Sequence, residues 1–241
     1  MASLLELDHV SKAYGALTVV DQLSLTVNAG EALGVIGPNG AGKSSMFNLI
    51  TGDVAPNGGS IRLDGLDITA MQPHARSRLG IGRSYQIPQP FANMTVFENL
   101  LVGALFGGQQ SERDSTEHCG EVLETTGLIE RANAPAGSLT LLQRKRLELA
   151  RALAMRPRLL LLDEIGGGLT EHECQSLVET IRAINAKGTT IIWIEHIVHA
   201  LVSVAHRLVV MNFGQLIAAG EPRAVMADPR VQEVYMGIPA S

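Results

Sequence analysis

Two segments of this 241-residue chain carry residue types in an order that suits phosphate chemistry. The first is Gly37-Pro38-Asn39-Gly40-Ala41-Gly42-Lys43-Ser44, a full G-x-x-x-x-G-K-S. A phosphate chain needs backbone N–H groups close on several sides, and side chains at Gly37, Gly40 or Gly42 would obstruct that approach. The loop leads into a helix whose amino end carries partial positive charge. Lys43 then places a cation on the β- and γ-phosphates of a nucleotide, and the Ser44 hydroxyl holds the magnesium that bridges them. The second segment is Leu159-Leu160-Leu161-Leu162-Asp163-Glu164. A buried strand delivers its last residues to the carboxyl edge of an open α/β sheet, where nucleotides bind. Asp163 joins the magnesium shell there, and Glu164 orients and polarises an attacking water. Alone, this segment also reads as a core strand meeting solvent. Paired with the glycine loop, it reads as the second half of a site.

A mainly parallel sheet has to stand behind such residues. The pattern predicts strands over Leu4–Val10, Leu23–Val27, Ala32–Ile36 and Ser60–Leu63 in the first third. A helix is expected over Gly42–Thr51, and Thr95–Met155 is helical in pattern, with Val96, Leu100 and Leu101 on one face and Val122, Leu123 and Thr126 on another. Within it, the polar, glycine-containing Phe106–Thr116 reads as a surface loop. Further strands are expected at Arg158–Leu162, Thr189–Ile194, Arg207–Met211 and Gln215–Ala219. Helices are expected at His172–Lys187, ended by Gly188, and near Ile197–Ala205. Strands alternating with helices, several apolar on both faces, point to an α/β core. The extra amino-terminal strands are expected to be antiparallel, and the middle of the chain to be a helical insertion.

Composition narrows the function classes. Nineteen basic and twenty-four acidic side chains give a net charge of −5, and only 4% of residues are aromatic. That argues against nucleic acid as the main partner, for want of both phosphate neutralisation and base stacking. The basic run Arg144-Lys145-Arg146 is expected to be a solvated helix face. Cys119 and Cys174 are too few and too far apart for a disulfide framework or metal cluster, and fit a reducing compartment. The opening MASLLELDHV has no basic n-region, and no run of eighteen apolar residues occurs, so neither a secretory signal nor a membrane span is expected.

Over nearly its whole length the chain resembles the nucleotide-binding subunit of an ATP-binding cassette (ABC) transporter. It is most similar to the ATP-binding subunits of branched-chain amino-acid importers. Besides the glycine loop, the resemblance rests on Val10-Ser11-Lys12-Ala13-Tyr14-Gly15, Arg83-Ser84-Tyr85-Gln86 and Met94-Thr95-Val96-Phe97-Glu98-Asn99-Leu100. It continues in Arg146-Leu147-Glu148-Leu149-Ala150-Arg151-Ala152-Leu153, in Ile194-Glu195-His196, and in a tail running from Ala219-Gly220-Glu221-Pro222 and Asp228-Pro229 to Val234-Tyr235-Met236-Gly237. The resemblance implies a P-loop NTPase fold: a RecA-like core of about 1–86 and 158–241 with an antiparallel β subdomain, and an inserted helical subdomain of about 87–157, all one nucleotide-binding domain. It implies ATP contacts from Tyr14, which stacks on adenine, from Gly37–Ser44 with Ser45, and from Asp163. Ser44, Gln86 and Asp163 would serve Mg2+, while Glu164, His196 and Gln86 would serve hydrolysis. Leu139-Thr140-Leu141-Leu142-Gln143 would reach the ATP of a second ATPase subunit, the same or related.

The implied function is an ATPase powering an importer for branched-chain or related amino acids from the cytoplasmic face of the membrane. Its partners would be transmembrane permease subunits and, indirectly, an external solute-binding protein. Ile87–Asn99 would help form the groove that receives a permease loop, with Phe91 and Glu98 as contacts. The chain also departs from the family. The signature usually reads Leu-Ser-Gly-Gly-Gln, so Leu142 stands where glycine lets the backbone approach a phosphate. Ile165 stands for a common proline, Gly167-Gly168-Leu169-Thr170 for a loop ending in aspartate or asparagine, and Ile197 for a frequent aspartate. These departures keep open a nucleotide-binding regulatory subunit with weak hydrolysis. A ribosome- or DNA-directed ABC ATPase fits poorly, because the chain has one cassette and no heptad run.

Overall fold

The computed structural model describes residues 2–107 and 111–236. Six strands form the central sheet in the order β10-β9-β3-β8-β7-β6. They are β3 (Ala32–Ile36), β6 (Ile81–Ser84), β7 (Leu159–Asp163), β8 (Thr190–Ile194), β9 (Arg207–Asn212) and β10 (Gln215–Gly220). All pairings are parallel except that of β10. Every residue of β3, β7 and β8 is buried, as their unbroken apolar runs require of strands covered on both faces. Alternation then splits each strand between two cores. Leu160 and Leu162 face a core shared with the helices α3 (Val96–Gly107), α4 (Glu112–Thr125), α5 (Leu141–Ala154) and α6 (Glu171–Ala186). Leu159 and Leu161 face the opposite core, with α1 (Lys43–Thr51) and a second sheet. That sheet is antiparallel, ordered β2-β1-β4-β5, from β1 (Ser3–Tyr14), β2 (Leu17–Asn28), β4 (Gly58–Leu63) and β5 (Leu66–Asp67).

Most of the expected elements are present with ends shifted by a few residues. Strand β1 outruns the expected Leu4–Val10, so that Tyr14 is its last residue. Four short helices or strands, α2 (Pro73–Arg78), β6, α8 (Pro222–Met226) and β5, have no strong period of their own and were not expected. Nor was α9 (Pro229–Met236); it takes up Val234-Tyr235-Met236 of the tail, whose Gly237 lies outside the described residues. The expected surface loop Phe106–Thr116 is a correction. Helix α3 continues to Gly107, and Ser111 caps α4 by accepting from the Asp114 N–H, so only 108–110 lie outside the described residues. The polar cluster that reads as a loop is an N-terminus: a capping serine followed by Glu112 and Asp114 in the first turn. Among the described residues no named strand lies between β6 and β7, and no helix is long and apolar enough to cross a membrane.

Candidate active site

The parallel strands end on one edge, and four of them carry the residues singled out above. Strand β3 runs into Gly37–Ser44, β7 ends at Asp163 and Glu164, β6 leads to Gln86, and β8 leads to His196. The glycines of the phosphate loop are needed for a partly different reason than expected. A Cβ at Gly37 would run into the Met211 carbonyl of β9, and one at Gly42 into the Val19 carbonyl of β2. Both also have positive φ, 154° and 98°. Gly40 alone faces open space. Two of the three glycines therefore let the loop pack against its own scaffold. Lys43, the first residue of α1, curls back so that its Nζ donates to the carbonyls of Gly37 (2.7 Å) and Pro38 (3.0 Å). Burial lowers its pKa, opposed by the nearby charges of Glu164 and Asp163.

Glu164 is held from two sides. Gln86 Nε2 donates to its Oε2 at 2.6 Å, and His196 Nε2 lies 2.8 Å from its Oε1. Its backbone sits at φ 47°, a left-handed conformation costly for a non-glycine residue. Asp163, buried, accepts from Arg83 NH2 at 2.8 Å. The same guanidinium donates to Asn48 Oδ1 at 2.7 Å and lies 5.5 Å from the ring centre of Phe47 and 4.9 Å from that of Tyr85. In the sequence Arg83 stands out only as part of a motif. Its role comes from a residue far along the chain, which no local signal could supply.

A cavity of about 870 Å³ is lined by Ser44, Asp163, Arg83 and Gln86 together with the rings of Tyr85 and Phe91. The oxygen-bearing side chains of Ser44, Asp163 and Gln86 in this lining suit a hard cation such as magnesium better than a soft metal. Among the described residues no group of three His, Cys, Asp or Glu could hold a metal by itself. A divalent ion there would draw most of its ligands from phosphate oxygens and water.

Tyr14 is half-exposed at the end of β1, with Lys12 Nζ 5.1 Å from its ring centre. Thr140 is the N-cap of α5, and Gln143 returns the bond: Gln143 N–H donates to the Thr140 hydroxyl, while Thr140 N–H donates to Gln143 Oε1. Leu139 is buried, Leu141 exposed and Leu142 half-buried. One expectation needs correcting here. Lys145 is not on a solvated face: it is buried, with its Nζ donating to the carbonyls of Gln86 (3.3 Å) and Glu164 (3.4 Å). Glu98, expected with Phe91 as a permease contact, is exposed at the start of α3, its carboxylate accepting from both the N–H and the hydroxyl of Thr95.

The sequence family described as "ABC transporter" matches residues 20–166, and "Branched-chain amino acid ATP-binding cassette transporter" matches residues 215–240. The chain is 36% identical to the high-affinity branched-chain amino acid transport ATP-binding protein BraF of Pseudomonas aeruginosa, over 97% of this chain and 98% of that protein. It is 34% identical to the lipopolysaccharide export system ATP-binding protein LptB of Acidithiobacillus ferridurans, over 98% of each. Among solved structures, the ADP conformation of an ATP-binding cassette of an ABC transporter superposes with a TM-score of 0.91 at 32% identity. It covers 99% of this chain and all of that one.

Proposed function

The chain belongs to the ABC transporter family as an ATP-binding subunit, an ATPase homologous to those of branched-chain amino-acid transport, and we propose that it powers import of branched-chain or related amino acids. It would work on the cytoplasmic face of the membrane, bound to permease subunits that receive solute from an external binding protein. The ATPase chemistry is assigned as follows. Tyr14 stacks on adenine, while Gly37–Ser45 and Lys43 hold the phosphates through backbone N–H groups, the α1 amino end and one ammonium. Ser44, Asp163 and Gln86 would hold Mg2+, which would supply positive charge against the phosphates. Glu164 orients the attacking water and takes its proton, and His196 contacts the γ-phosphate. Lys43 leaves its two carbonyl partners to reach the phosphates, and Gln86 and His196 exchange Glu164 for nucleotide.

Thr140–Gln143 of one subunit would complete the ATP site of a second subunit, the same or related. The helical middle, about 87–157, would move as a lobe on closure and carry with it the permease loop seated at Phe91. One observation carries this reading: the Glu164 carboxylate stands between Gln86 and His196, beside the loop bearing Lys43. Glu164→Gln should keep ATP binding and lower turnover of the assembled transporter by ~10²-fold or more, the scale of a lost general base. Turnover within twofold of wild type removes Glu164 from that role.

The regulatory reading draws on Leu142. If that side chain keeps the signature backbone off the partner's γ-phosphate, hydrolysis at the site it faces is slow. Leu142→Gly then raises ATPase activity in the full assembly; no gain, or a loss, discards this second reading.

A further inference from the structure

Lys145 is the one basic residue of its run that the fold hides. Arg144 is exposed and donates to the Gly137 carbonyl, and Arg146 reaches the Ser176 hydroxyl, but Lys145 points inward from α5. Burying an ammonium is costly unless its hydrogens find acceptors. Here the acceptors are two main-chain carbonyls from distant parts of the chain: Gln86, just beyond β6, and Glu164, at the end of β7. These are the two residues whose side chains join at 2.6 Å. Glu195, buried and accepting from the Gly166 N–H, adds negative charge nearby. A Cβ at Gly167 would already approach the ammonium, at 4.0 Å, so the loop after Glu164 lies over it.

The position of Lys145 along α5 adds a second consequence. The helix begins at Thr140, in the segment assigned to the partner's nucleotide, and Lys145 lies little more than one turn further on. On that assignment one helix would touch both sites of a head-to-tail pair. We propose that Lys145 is a positioning residue that fixes the main chain of Gln86 and Glu164 together, and so ties the water-handling pair of one site to the docking of the helix that serves the other. The assignment rests on the reading of the site given above. Lys145 itself touches no reacting atom.

The test compares Lys145→Met and Lys145→Arg. In the nucleotide-free chain, hydrogen exchange of 84–89 and 164–169 should accelerate together in Lys145→Met, because both segments lose a shared anchor, and should return towards wild type in Lys145→Arg. In the assembled transporter, kcat of Lys145→Met should fall between about 10- and 100-fold, the range expected when catalytic groups shift by about 1 Å. ATP affinity should stay within about twofold, since the phosphate loop is untouched, and Lys145→Arg should recover most of kcat. Unchanged exchange in either segment overturns the proposal. So does kcat within twofold of wild type, or a parallel fall in kcat and affinity that Arg does not repair. The exchange arm requires no hydrolysis, so it decides on Lys145 even if the transporter reading fails, whereas a wild-type assembly without ATPase activity counts against that reading alone.

Discussion

At the scale of single residues, the motif positions and their partners differ in how they can be read. Lys43, Ser44, Asp163 and Glu164 announce themselves because their chemistry depends on immediate neighbours in the chain: a glycine loop before a helix, a carboxylate pair after an apolar strand. Arg83 does not, because its meaning is Asp163, Asn48 and two aromatic rings assembled by the fold. The pair is buried on both sides, with each side chain only 8% exposed. Removing one partner of such a pair leaves an uncompensated charge, so Arg83→Met should destabilise the chain by about 3 kcal/mol or more. Arg83→Lys keeps the charge but loses the fork that reaches Asn48 and Asp163 at once, and should fall between. Urea unfolding of the three proteins measures this, and a loss below about 1 kcal/mol for Arg83→Met would mean that Asp163 is satisfied without it. Lys145 is hard to read locally for a related reason. Three basic residues in a row look like a wet helix face, yet helical geometry turns them 100° apart, and only the middle one points inward.

At the scale of elements, legibility follows the strength of the local period. The runs of β3, β7 and β8 need little context, since four or five apolar residues in succession suit a strand buried on both faces. Strand β6, Ile-Gly-Arg-Ser, has no such pattern and exists through its pairing with β7. Helix α2 is only six residues long and too short to stand alone; what justifies it is Arg76. That buried guanidinium donates to the carbonyls of Leu49 and Ile50 in the last turn of α1 and to those of Thr69 and Met71. It thus satisfies acceptors that a helix end leaves open. Arg76→Met should strand several buried carbonyls at once and cost about 3 kcal/mol or more in urea unfolding, with an unchanged denaturant slope. If the loss is only a few tenths, water enters and satisfies the end of α1.

At the scale of the whole molecule, the two cores meet across one sheet, and the helical side holds both cysteines. Cys119 on α4 and Cys174 on α6 belong to the same buried cluster. Burial pushes the Cys119 thiol up to about 11, and burial with the charge of Glu195 raises that of Cys174. At pH 8 roughly one Cys119 in a thousand is thiolate while the side chain stays buried. Alkylation under native conditions should therefore be slow at both sites and proceed at one common rate, that of opening the shared core. Mass spectrometry of each cysteine against time checks this; Cys119 reacting many times faster would show α4 opening without α6. The layered α/β plan behind this core is legible in the alternation of strands and helices. The position of α4 is less so, because its first turn is polar enough to pass for a loop.

The left-handed backbone of Glu164 sets folding and turnover at odds at a single position. For the chain as a folded object, glycine or asparagine suits that conformation better than glutamate. For the chain as a catalyst, only a carboxylate of that length reaches between Gln86 and His196. A library selected for protease resistance alone would therefore drift at 164 towards glycine and asparagine, whereas one selected for transport would retain glutamate. On the proposed role, the difference between the two outcomes measures how far a carboxylate at 164 is worth more to turnover than a relaxed backbone is to stability.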